Sequence, residues 1–229
     1  MSLLSLLLLQ ADTAVQAATA APAPEKISLI SLLMEGGVLM IPLLICSILV
    51  VYVFAERLMV IRKASATDPT FLSRIREHIT EGNLAAARSL SKNTYGPVAR
   101  IIERGISRIG KPMDHIEKSM ESVGKLEVYQ LEKNMSALST IARIAPMFGF
   151  LGTIAGMIIL FFSIQHQGFS LEGIAGGIYT KMVTSAVGLI IGLLAFVAYD
   201  YLDAQINKNV NRMEAAAVEF LDMLQEPTR

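Results

Sequence analysis

Three long apolar stretches constrain the fold of this chain more than any other feature of its sequence. They cover residues 36–55, 144–164 and 174–199. A hydrocarbon layer about 30 Å thick is crossed by an α-helix of about 20 residues, and each stretch reaches that length. Of the 229 residues, 53% are hydrophobic and 17% are charged, a balance unlike that of a soluble domain. The sequence therefore predicts an all-α membrane protein with three transmembrane helices.

The distribution of lysine and arginine predicts how these helices are oriented. Residues 61–143 contain 14 of the 20 Lys and Arg residues, whereas the connection 166–173 contains none. Because positively charged loops stay in the cytoplasm, we expect residues 61–143 and the C-terminus inside and the N-terminus outside. The predicted parts are an outer-face segment (1–35), transmembrane helix 1 (36–60), a cytoplasmic helical region (61–143), transmembrane helix 2 (144–165), a short periplasmic loop (166–173), transmembrane helix 3 (174–200) and a cytoplasmic C-terminal helix (201–229).

The first 25 residues permit two interpretations. They combine an apolar block with small residues that a signal peptidase accepts, so they could be a cleaved signal peptide. No Lys or Arg precedes the block, however, and the block is too short to span the membrane. A retained helix in the outer interface is the favoured interpretation.

Turn residues divide the predicted cytoplasmic region into short helices. Breaks are expected at 81–83, 96–97 and 110–112, where Gly, Asn and Pro interrupt the helical spacing. From 112 to 165 the spacing predicts one helix, about 80 Å long, which Pro146 kinks near the membrane. Residues 203–224 are expected to prolong the third transmembrane helix as an amphipathic extension.

Small residues recur at helical spacing in the second and third apolar stretches. Such a pattern lets helix backbones approach closely in lipid, where no hydrophobic force drives association. The packing could lie within one chain or between several copies in a ring. The glycines predicted to pack are Gly149, Gly152, Gly156, Gly188 and Gly192.

Three hydroxyl residues lie near the predicted centre of the membrane. Thr153 on the second span and the pair Thr184–Ser185 on the third are expected at nearly the same depth. They could bond locally to their own helix or could line an ion pathway. Glu172 is the only acidic residue between 144 and 199, so a titrating group at membrane depth must come from another chain.

Lys181 is a second unusual polar residue of the third span. It lies about 10 Å below Ile174 at helical rise. Its ammonium could reach the outer interface, or it could face an interior and balance the carboxylate of a partner.

Other kinds of chemistry have little support in the sequence. The three histidines and Cys46 are far apart, no glycine-rich phosphate loop follows a strand, and no basic patch is interleaved with aromatic residues. We therefore expect no enzymatic activity, no cofactor, no metal site and no nucleic acid partner.

Two segments resemble the MotA/TolQ/ExbB proton channel family, most closely its ExbB branch. LSTIARIAPMFGFLGTIAGMIILF is similar to the second span of that family, and IAGGIYTKMVTSAVGLIIGLLAFVAYDYL is similar to the third. The resemblance implies a bacterial inner-membrane ring, a homo-oligomer of five copies in the family. The ring encloses a single-span partner similar to ExbD or TolR, which carries a membrane aspartate. Thr153 and Ser185, with Thr184 beside it, match the threonines of the family.

The third span departs from the family pattern at one place. Where many members have glutamate, this chain has Thr180 followed by Lys181. The resemblance implies a scaffold subunit that uses the proton motive force, with sodium left open, to energise TonB-dependent transport through a TonB-like transducer. A TolQ-like or motility motor subunit is the alternative within the family. A ring-forming scaffold without ion flux is the alternative outside it.

Overall fold

The computed structural model describes residues 38–65, 68, 70–168 and 171–225. The expectations for residues 1–35 lie outside this part of the chain. Seven α-helices occur among the described residues: α1 Met40–Ser65, α2 Phe71–Thr80, α3 Leu84–Asn93, α4 Pro97–Ile106, α5 Met113–Glu132, α6 Met135–Gln167 and α7 Leu171–Gln225.

Helices α1, α6 and α7 contain the three predicted apolar stretches. Each is long and apolar enough to cross a membrane. The antiparallel pair α6–α7 forms the most extensive contact between two helices, and α1 packs against both. Leu43 and Ile61 of α1, Leu138 of α6, and Ala195 and Leu202 of α7 are buried in the core that the three share. The chain is therefore an all-α protein with three membrane-spanning helices in its described part.

The short helices end where the turn residues predicted. Gly82, Gly96 and Gly110 have φ angles of 74°, 128° and 93°, a region that suits glycine because it has no Cβ. Asn83 caps α3 by accepting a hydrogen bond from the Ala86 backbone N–H at 3.1 Å, and Pro97 is the first residue of α4. The three predicted breaks are confirmed.

Helices α2, α4 and α5 pack onto the far end of α7 around a second core. Gly105 is central to it, because a Cβ at this position would lie 2.5 Å from the Phe220 ring and 2.7 Å from the Met120 sulfur. The buried carboxylate of Glu127 on α5 accepts two hydrogen bonds from Arg100 on α4. A bidentate, partly buried pair of this kind fixes the two helices in one register.

The turn before α2 is held by a carboxylate. Asp68 accepts hydrogen bonds from the Thr70 backbone N–H at 2.9 Å and from the Thr70 hydroxyl at 2.8 Å. These two bonds stabilise the charged form and lower the pKa of Asp68 below its ordinary value. Asp68 therefore orders the start of α2.

The prediction of one unbroken helix from 112 to 165 is wrong. Helix α5 ends at Glu132 and α6 begins at Met135, because Asn134 adopts a left-handed conformation with φ 64°. The end of α1 holds this break in place: Arg57 donates to the Gln130 carbonyl at 3.2 Å, and Glu56 accepts from the Asn134 amide at 3.3 Å. The second span is therefore not prolonged as a single rod, whereas α7 does continue far beyond its apolar stretch.

Asn134→Val is expected to lower the free energy of unfolding by about 1–3 kcal/mol, because a β-branched residue is strained at positive φ. The measurement is thermal unfolding in detergent. Asn134→Gly is the matched control, since it also loses the amide but tolerates the backbone conformation. Equal destabilisation by the two substitutions would show that the amide contact, and not the backbone angle, matters.

Candidate functional site

The residues selected from the sequence lie along the contact between α6 and α7. Near the middle of this contact the two backbones touch. A Cβ at Gly149 would lie 3.0 Å from the Ser185 carbonyl oxygen and 3.3 Å from the Gly188 Cα. A Cβ at Gly188 would lie 2.7 Å from the Ala145 carbonyl oxygen. Only glycine fits at these positions, and the helices approach more closely than larger residues would allow.

The remaining glycines of the pattern lie at the same contact, on both sides of this point. Gly192 faces Pro146, whose ring carbons would be 2.5 and 2.6 Å from an added Cβ. Gly152 faces the methyl group of Thr184 at 2.9 Å from such an atom. The structure thus places these glycines in packing within one chain. Pro146 lies inside the continuous helix α6, and its predicted kink stays a prediction.

The sequence analysis did not identify Gly177 and Ala145 as part of this contact. A Cβ at Gly177 would lie 2.8 Å from a methyl group of Leu160. Ala145 is completely buried and precedes Gly149 by four residues. The same four-residue spacing of small side chains could have identified both, because Ala145 precedes Gly149 and Gly173 precedes Gly177 by four residues.

The hydroxyl residues form hydrogen bonds within their own helices. Thr153 donates to the Phe150 carbonyl at 2.6 Å, Thr180 to Gly176 at 3.0 Å and Thr184 to Thr180 at 3.3 Å. Each hydroxyl oxygen still has acceptor lone pairs, so it can also accept a hydrogen bond from another group.

The structure separates these hydroxyl residues by the surface they face. Thr184 is 1% exposed and packs on Gly152, so it faces α6 of its own chain. Thr153 and Ser185 are half-buried. Since Gly152 touches Thr184, Thr153 lies at the depth of the Thr184–Ser185 pair. Thr153 lines a groove of about 620 Å³ with Met157 and Phe161. Thr153 and Ser185 are therefore accessible to another chain, and the half-buried Thr180 is accessible as well.

Lys181 lies across Gly156, at the end of the contact nearer to Gly168. Its aliphatic chain occupies the space that a Cβ on Gly156 would need, and the residue is half-buried. In the part of the chain that the structure describes, Lys181 forms no ion pair. Gly156 thus leaves room for a cation that pairs with no carboxylate among the described side chains.

No group of three or more His, Cys, Asp or Glu side chains that could hold a metal ion occurs among residues 38–65, 68, 70–168 and 171–225. Large apolar side chains on the membrane helices are instead widely exposed, for example Phe150, Ile158 and Phe161 on α6. A surface of this kind contacts lipid or other protein helices.

Comparison with known proteins gives consistent matches. Residues 93–215 match the sequence model of the MotA/TolQ/ExbB proton channel family. A protein of Methanothermobacter thermautotrophicus, named as an ExbB homolog of biopolymer transport, is 24% identical over 69% of this chain. A Synechocystis protein named as ExbB-like is 25% identical over 70% of the chain and 78% of its own length.

A third relative carries a different name. The Tol-Pal system protein TolQ of Haemophilus influenzae is 28% identical over 39% of this chain. The chain spans 57% of the length of the Methanothermobacter relative and 40% of the length of the Haemophilus relative.

Gly188→Ala is expected to lower the free energy of unfolding by about 1–3 kcal/mol, because the added methyl group meets backbone atoms that cannot rotate away. Thermal unfolding in detergent measures the effect. The control is Gly176→Ala, where nothing lies within 4 Å of the new atom. If both variants unfold at the wild-type temperature, close packing at Gly188 is not required.

Proposed function

The chain belongs to the MotA/TolQ/ExbB proton channel family, whose model matches more than half of its residues, and from this we propose that it is a scaffold subunit of a proton-driven motor in the bacterial inner membrane. In this proposal several copies form a ring, as five do in the family, around a partner similar to ExbD or TolR. The ring harnesses the proton motive force and does not act as an enzyme. The family match carries the proposal.

The missing carboxylate supports the need for a partner. Proton transfer at membrane depth requires a group that titrates, and a hydroxyl does not titrate at ordinary pH. Between 144 and 199 the only acidic residue is Glu172. We therefore propose that the membrane aspartate of the partner carries the proton, while Thr153 and Ser185 hydrogen-bond to it or to water.

The orientation of the chain follows in this proposal from its charges. The 14 Lys and Arg residues of the segment 61–143 place α2–α5 in the cytoplasm. The turn at Gly168 then lies on the periplasmic side, and Lys181 lies about 15 Å along α7 from the start of that helix at Leu171. The partner applies force on the periplasmic side, where a TonB-like transducer receives it.

TonB-dependent transport is the favoured task, because two of the relatives are named after ExbB. A TolQ-like role in envelope maintenance is the second candidate, because the Haemophilus relative carries that name. The genes beside this one separate the candidates: a TonB-like gene supports transport, and Tol-Pal genes support the second role.

Lys181 has a role of its own in this proposal. A half-buried lysine without an ion pair in the described helices is unfavourable inside a membrane unless an anion approaches it. We propose that Lys181 and Thr180, at the place where many family members have glutamate, contact a carboxylate of the partner.

Thr153→Val is expected to lower partner-dependent proton flux by about tenfold, the equivalent of one hydrogen bond lost at the pathway. Ser185→Ala is expected to act in the same direction. Flux is measured in proteoliposomes that contain this chain and its partner, and growth that depends on the partner is measured in cells.

The control is Thr184→Val, because Thr184 faces α6 of its own chain and its removal affects packing rather than the pathway. Assembly of each variant is checked by native mass measurement. If Thr153→Val and Ser185→Ala both assemble normally and leave flux and growth unchanged, the two hydroxyls do not take part in the proton pathway. A ring that carries no flux even as wild type would favour a purely structural scaffold.

Lys181→Met is expected to lower the amount of partner that copurifies with this chain by about tenfold, because a desolvated charge on the partner loses its counterion. Lys181→Arg keeps the charge and should retain most of the partner. Wild-type recovery with Lys181→Met would instead mean that the ammonium only reaches the outer interface.

A further inference from the structure

An apolar groove lies between α5 and the polar half of α7, far from the contact that contains Thr153 and Lys181. Its volume is about 460 Å³. Ile101 of α4, Val128 of α5, and Val210, Val218 and Leu221 of α7 supply apolar walls. The groove lies outside the stretch that crosses the membrane, so lipid tails do not cover it.

The rim of this groove is acidic. It carries the four carboxylates Glu117, Glu121, Glu132 and Glu214 and a single cation, Lys125. Lys125 is paired with Glu121 at 2.7 Å, and this hydrogen bond lowers the pKa of Glu121. The other three carboxylates, Glu117, Glu132 and Glu214, have no further cation among the residues that line the groove.

Large apolar side chains around the groove are open to solvent. Tyr129 is 72% exposed and Val218 is 58% exposed, and both line the groove. An apolar groove with a charged rim is typical of a surface that binds protein. The negative rim requires that the bound segment be cationic and carry an apolar or aromatic side chain.

Helix α3 and the turn after it provide such a segment. Arg88 and Lys92 are four residues apart and both exposed, and α3 contains no acidic residue. Tyr95 follows them and is 91% exposed. We call Arg88, Lys92 and Tyr95 the cationic ridge. A tyrosine suits a groove of this kind, because its ring enters the apolar part while its hydroxyl reaches the rim carboxylates.

The cationic ridge does not reach the groove of its own chain. Helix α3 packs mainly against α2 and α4, whereas the groove lies between α5 and α7. The two surfaces nevertheless lie at the same level along α7. Pro97 and Val98, just after Tyr95, lie beside Arg212 and Ala216, and the groove extends along α7 from Val210 to Leu221. In a ring, neighbouring copies are related by rotation about an axis normal to the membrane. This rotation does not change the distance of a surface from the membrane, so the ridge of one copy can meet the groove of the next.

We propose that the groove between α5 and α7 binds the cationic ridge of a neighbouring copy, so that adjacent subunits join head to tail outside the membrane. The proposal rests on the ring of the proposed function and assigns the surfaces that close it. An interface between two different patches repeats around a ring and leaves none of them uncovered.

Cross-linking between two tagged copies tests this contact. The native Cys46 is first replaced by alanine in both copies. One copy then carries Tyr95→Cys and the other carries Val218→Cys, and both are oxidised in native membranes. Disulfide-linked heterodimers are expected at about ten times the yield of a control pair with Glu81→Cys in place of Tyr95→Cys, since only groups held together react efficiently.

Charge reversal provides a second test that does not depend on cysteine. Lys92→Glu and Glu214→Lys should each lower the yield of the native oligomer, followed by native mass measurement, by about tenfold, because like charges then meet. The two reversals combined in one chain should restore it. The control is Asp222→Lys, an exposed carboxylate of α7 outside the groove, which should leave the yield unchanged.

Each outcome decides between specific alternatives. A native oligomer without the heterodimer cross-link, or without rescue by the combined reversal, would overturn the assigned surfaces and leave the ring intact. Cross-linking of Val218→Cys only to a different protein would likewise overturn the assignment. The absence of any oligomer in native membranes would overturn the ring of the proposed function as well.

Discussion

The direct contact between the backbones of α6 and α7 at Gly149 and Gly188 determines the arrangement of the membrane part of this protein. Apolar surface gains nothing from association inside a bilayer, so helices hold together there through close packing. Once these glycines meet, the register of the two helices is fixed. That register directs Thr184 into the chain, leaves Thr153 and Ser185 accessible, and lays Lys181 over Gly156.

Helix α7 connects this membrane contact to the polar part of the molecule. Its 55 residues run from Leu171 to Gln225 and include Leu202 in the first core and Phe220 in the second, so it contributes to both hydrophobic cores. Because the chain breaks at Asn134, α5 and α6 do not form a second continuous helix of this kind. Helix α5 can therefore pack against α7 independently of α6. Helix α7 is therefore the continuous element that joins the membrane part to the polar region, whereas the path through α6 and α5 contains a break.

The sequence predicts well the features that depend on local composition. The three apolar stretches, the breaks at Gly82, Gly96 and Gly110, and the spacing of the packing glycines all follow from properties of neighbouring residues. The break at residues 133–134 is marked only by Asn134, a weaker signal than Gly or Pro, because Asn207, Asn209 and Asn211 lie inside the continuous helix α7. A left-handed Asn134 is stabilised by Glu56, which is 78 positions away. The direction in which Thr184 points depends likewise on α6 and not on its own neighbours.

The contact of Pro146 with Gly192 affects backbone hydrogen bonding as well as packing. Proline has no N–H, so the carbonyl of Ala142 cannot receive the hydrogen bond that the fourth residue along a helix normally supplies. A Cβ at position 192 would lie 3.1 Å from this carbonyl oxygen. Any side chain there would therefore shield an acceptor that already lacks its donor, whereas the Cα hydrogens of Gly192 can approach and compensate it weakly. Glycine at 192 thus accommodates the unpaired carbonyl of Ala142 at the edge of the membrane, in addition to the ring of Pro146.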